Sequence, residues 1–147
     1  MAELLIYPAI FWGIIVGIYE LASIHADESF VGFKWMGHGL QAAMFSFIFV
    51  FLTMNTAFAL EKIPILESIP YATAYSFLPV RILIGVIAMV KIQAASVVTS
   101  LGRGRFATRG IGEHLIHTLI AGLLIIFAPE IMTYLWPLIS GIFPFGK

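Results

Sequence analysis

The sequence predicts an all-α fold, a polytopic four-helix transmembrane bundle forming a single domain over residues 1–147, and three observations predict it. Apolar residues make up 61% of the chain and charged residues 11%. An ordinary soluble domain has about 45–50% and about 25%, so there is too little charge here to cover a water-facing surface. Mean hydropathy is correspondingly high, at +1.01. Four nearly uncharged stretches each reach the roughly 20 residues that a helix rising 1.5 Å per residue needs to cross a bilayer core of about 30 Å. None shows the alternating pattern of a barrel strand, and in lipid only helices or closed barrels satisfy every backbone group.

The first span, about residues 4–24, carries Glu20 near its end. The leading Met1-Ala2-Glu3 has no basic residue and no small-residue cleavage site follows, so the stretch reads as a retained span rather than a signal peptide. The second, about 38–60, contains no formal charge and closes on Glu61-Lys62. The third, about 72–98, holds Arg81 and Lys91, and the fourth, about 111–136, has Glu113 at its start and Glu130 near its end. The connection after the third span holds Arg103, Arg105 and Arg109, which places that loop in the cytoplasm and both termini on the extracytoplasmic side of the cell membrane. The tail beyond Trp136 is apolar but broken by Pro137 and Pro144, and reads as interfacial or packed on a partner.

Eight basic and eight acidic residues cancel, with no basic run, so nucleic acid is excluded as a partner for want of an electrostatic source. The absence of cysteine removes disulfides, thiolate nucleophiles and iron–sulfur clusters.

Charge inside a span calls for a partner or water, because it costs several kcal/mol in hydrocarbon. Arg81 is expected to form a buried ion pair with Glu130 or Glu61, with Pro79 loosening the helix beside it. Lys91 is expected either to snorkel to an interface or to pair near Glu20 or Glu113. Arg81, Lys91, Glu20 and Glu130, at different depths, have the layout of a charge relay. All four histidines fall at the predicted cytoplasmic ends. In the run from Glu113 to His117, a helical turn of 100° per residue sets Glu113, His114 and His117 on one face, and His38 joins them from the second span. Two imidazoles with a carboxylate suit a divalent metal, and two imidazoles alone suit heme, although the order matches neither a His-Glu-x-x-His hydrolase nor a Glu-x-x-His bundle site. The phenylalanines of the second span, Phe45, Phe47, Phe49, Phe51 and Phe58, read as lipid contact. Asn55 is expected to bond across helices, and the pair Gly13 and Gly17 to allow close crossing within the bundle or between copies.

Three functions are compatible with this pattern. One is an ion, proton or metal-ion transporter or channel, expected to be a homo-oligomer, working through the intramembrane charges and the cytoplasmic His/Glu cluster. A second is an accessory subunit of a larger membrane complex. The third is a metal- or heme-dependent membrane oxidoreductase. The bilayer is a partner in each.

Overall fold

The computed structural model describes residues 3–26, 34–63, 65, 68, 73, 77–101 and 108–142, with side chains described at all of these except 34, 35, 38, 95–101 and 108–114. The described residues fold into six α-helices: α1 (Ile6–Ala26), α2 (Lys34–Met54), α3 (Thr56–Lys62), α4 (Leu78–Leu101), α5 (Thr108–Ile126) and α6 (Ala128–Ile139), with a 3-10 turn at Ser140–Ile142. The expected all-α class is what the chain adopts, with no strand among the described residues.

Four long helices run alternately up and down, and their facing residues fix the register. Gly17 packs on Ala43 and Gly39 on Leu21, so α1 and α2 are antiparallel. Gly85 lies against Ile126 and Gly122 against Met89, so α4 and α5 are antiparallel as well. On α1 the buried positions are Ala9, Trp12, Gly13, Val16, Gly17, Glu20 and Ile24, a stripe of the three- and four-residue spacing that sets one helical face on its neighbours. Gly13 and Gly17 are therefore consumed inside the chain, where a Cβ at Gly17 would come within 3.3 Å of the Ala43 carbonyl. The core joins this stripe to Ala42 and Val50 of α2, Ala88 and Ile92 of α4, and Ala121 and Ile125 of α5.

Two of the expected spans are not straight. Where one helix was expected over 38–60, α2 and α3 meet at Asn55 and diverge by 83°. Where one was expected over 111–136, α5 and α6 meet at Phe127 and diverge by 67°. Among the described residues one helix, α1, is long and apolar enough to cross a membrane alone, and three are if each bent pair counts as one span.

Each bend has a local cause. Pro129 in the first turn of α6 has no N–H to give Ile125 and its ring crowds that carbonyl, so α5 cannot continue. Around Asn55, side chains take over the end of α2. The Thr53 hydroxyl donates to the carbonyls of Phe49 and Val50, the Thr56 hydroxyl to those of Leu52 and Thr53, and the Asn55 amide to that of Phe51. Such back-bonding competes with the helical ladder.

The third span also starts later than the expected residue 72, at Leu78, behind Phe77 at a left-handed φ of 62°. Pro79 thus sits in the first turn of α4, where a missing N–H costs nothing, and does not loosen a helix interior as expected. Phe45, Phe49 and Phe51 pack half-buried on the core and Phe47 covers Gly13, so these rings also serve packing within the bundle while keeping part of their surface outward. Pro137 does not break the tail either: α6 runs through it to Ile139, and Trp136 packs near Phe11 with ring centroids 6.3 Å apart and planes tilted by 59°, while Pro144 lies outside the described residues.

Candidate functional site

Polar groups gather at two levels of the bundle. The first is the end where both bends lie. Asn55 is buried and reaches fifty residues back in the chain: the Leu5 N–H donates to its Oδ1 at 2.6 Å, and its Nδ2 donates to the Leu5 carbonyl at 3.4 Å. This ties the start of α1 to the end of α2, the cross-helix bond expected of Asn55. Asn55→Ala leaves the Phe51 carbonyl its backbone donor, the N–H of residue 55, but removes both bonds to Leu5, and is expected to cost about 1 kcal/mol in unfolding from detergent. Thr53→Val, which removes a hydroxyl bonded only to carbonyls of its own helix, is expected to shift the same transition less.

The last carbonyls of a helix have no partner in their own ladder. At the end of α5 two of them are met from other helices. The Trp12 indole N–H donates to the Leu124 carbonyl at 3.0 Å, and Arg81 Nη1 donates to the Ile126 carbonyl at 3.3 Å. Arg81 also grips Glu130 with both terminal nitrogens, Nη1 to Oε2 and Nη2 to Oε1, each at 2.6 Å. The guanidinium is 1% exposed and the carboxylate 45%. It lies at the negative end of the α5 dipole, and Glu130 lies in the first turn of α6 near that helix's positive end, so both charges are favoured where they stand. Of the two acids expected for Arg81, Glu130 is the one it meets. It meets it from the first turn of α4 rather than from a mid-helix position.

The second level lies toward the other end. Tyr19 and Glu20 sit in α1, Gln93 in α4, and His117 and Thr118 in α5. The Tyr19 hydroxyl and His117 Nδ1 are 3.4 Å apart, and the Thr118 hydroxyl donates to Gln93 Oε1 at 3.0 Å. Glu20 is 2% exposed, and its Oε1 finds no hydrogen-bond partner among the described residues. Ser46 Oγ, in the core face of α2, is likewise buried and unpartnered. Of the sequence-derived candidates, the side chains of His38, Glu113 and His114 lie outside the described residues. His117 is the one member of the proposed metal set that is placed, and among the described residues no three His, Asp or Glu side chains converge.

Arg81, Glu130, Glu20 and Lys91 do not form one connected relay. The first two close the bent end, Glu20 lies inside the bundle, and Lys91 stands exposed on α4 without reaching Glu20. Sequence reasoning missed Tyr19, Gln93 and Thr118 as members of a polar level, and Ser46 as a buried polar group of the core. Tyr19 beside Glu20 was the available signal; the others depend on helix register. Compared with known proteins, the chain matches no family model, no curated protein and no solved structure.

Proposed function

We propose that the chain is a small multi-pass membrane protein that moves protons or small cations, with Glu20 as the exchanging group and α1, α2–α3, α4 and α5–α6 as four spans. The outer faces support the membrane reading. Exposed apolar residues repeat every four positions at Ile10, Ile14 and Ile18 on α1, at Met36, Leu40, Met44 and Ile48 on α2, and at Leu115, Leu119 and Leu123 on α5. Helices that are apolar on the packed face and the outer face alike belong in lipid. The observation that carries the functional reading is the Glu20 carboxyl, enclosed in the bundle with one oxygen unpartnered. Burying such a group is costly, and an ionisable side chain kept inside a span marks a functional site by default. Tyr19 and His117 at the same level offer a hydroxyl and an imidazole through which a proton can move toward the far end of α1. The Arg81–Glu130 pair, engaged on both sides, acts as the fixed closure of the opposite end.

The test is flux into sealed vesicles of reconstituted protein under an imposed proton or sodium gradient. Glu20→Gln keeps the shape and removes the titrating group. It is expected to lower flux by about tenfold or more, a barrier increase of at least ~1.4 kcal/mol, while the melting temperature holds or rises. Wild-type flux in this variant would overturn the assignment.

A further inference from the structure

We infer that the outer face of α4 docks against a membrane helix of another protein that carries a buried Asp or Glu, and that Lys91 is the charge that selects it. The inference rests on the preceding reading only for the placement of the chain in a membrane. Lys91 is exposed, on a face it shares with Leu83, Ile87 and Val90, all of them exposed and apolar. Its depth follows from the register. Gly122 packs on Met89 and Thr118 bonds Gln93, so Lys91 stands level with the α5 residues between 118 and 122. In turn Trp12 meets Leu124 and Tyr19 meets His117, which sets that stretch of α5 beside Ile15, Val16 and Gly17. Those three are the middle of α1, a helix of 21 residues, whose length matches a bilayer core of about 30 Å.

From mid-depth each surface is about 15 Å away, and the four-carbon stem of lysine falls well short of the headgroup phosphates. Snorkelling, one of the two outcomes expected for Lys91, therefore does not satisfy it. Pairing among the described side chains does not satisfy it either, the carboxylate of Glu113 lying outside them. Among the described residues Lys91 makes no ion pair, Glu130 is held by Arg81, and Glu20 faces the interior. Glu3 and Glu61 lie at the bent end, and Glu113, whose side chain is not among those described, stands two turns along α5 from this level, so a second copy brings no described acidic side chain to this depth on an outer face. An ammonium in the middle of an apolar face is complementary to one thing available at that depth, a carboxyl on another chain's helix.

The probe is a synthetic polyleucine helix with one central Glu, and a twin with Gln, each carrying an energy-transfer acceptor in phosphatidylcholine vesicles that hold the donor-labelled protein. The Glu peptide is expected to associate about tenfold or more tightly than its twin, and the preference to vanish in Lys91→Met, an exposed substitution that leaves the melting temperature unchanged. Equal association of the two peptides, or a preference that survives Lys91→Met, overturns the docking proposal. Because the native chain has no cysteine, Lys91→Cys reports depth cleanly. Resistance to a membrane-impermeant maleimide from both sides supports the mid-depth placement. Labelling would remove that placement and the proposal together, whereas a shielded cysteine without peptide preference sinks the proposal and leaves the membrane reading standing. Efficient disulfide dimerisation of Val90→Cys would show that a second copy occupies the face and overturn the assignment to another protein.

Discussion

Glu130→Ala is expected to destabilise the chain by about 3 kcal/mol or more, because it leaves the Arg81 guanidinium buried with both terminal nitrogens stripped of their carboxylate. The reverse removal is expected to be milder. Glu130 is 45% exposed and can be hydrated once Arg81 is gone, and Arg81→Met fills the same buried volume with an apolar side chain. Thermal or denaturant unfolding in detergent checks both. The expected order is Glu130→Ala far below wild type, Arg81→Met between the two because it strands the Ile126 carbonyl, and the double variant recovering part of what Glu130→Ala loses, up to the level of Arg81→Met. Equal losses in the two single variants would mean that the pair is worth its mutual attraction and nothing more, as on an open surface.

Trp12→Ala is expected to cost about 3–5 kcal/mol, for two separable reasons. Most of this is the volume removed from the core between α1 and α5, in the range usual for deleting a buried aromatic ring. The remainder is the Leu124 carbonyl at the break of α5, which loses the indole N–H that satisfies it. Trp12→Phe separates them: it keeps most of the volume and strands the carbonyl, and is expected to cost about 1–3 kcal/mol in the same unfolding measurement. A loss with Phe as large as with Ala would assign the whole effect to the hydrogen bond.

Both variants act where the chain turns, and that is where reading the sequence fell short. The long helices were legible because uncharged runs of spanning length leave few alternatives. The ion pair of Arg81 with Glu130 was legible because a buried guanidinium demands an acid and few acids were within reach. The bends were written in weaker signs. A hydropathy window measures length and not direction, so the apolar run through Asn55 looked continuous, although Thr53, Asn55 and Thr56 are side chains that draw off helix carbonyls. Pro129 was equally visible, but its effect falls two residues earlier, at Phe127. The level formed by Glu20, Gln93, His117 and Thr118 could not be read from one sequence, because it depends on how three helices slide past one another. Glycines set that sliding: Gly85 and Gly122 have room for Ile126 and Met89 only because each lacks a Cβ.

The bonds at the bent end also impose an order on biogenesis. The clasp joins Leu5, just before α1, to Asn55, just after α2, so the first hairpin is expected to complete itself without the later helices. The end of α5 has no such independence, since it draws one donor from α1 and another from α4, and its last turn stays unfinished until both are in position. Maturation is therefore expected to follow translation, with the leading hairpin as the template onto which the trailing helices close.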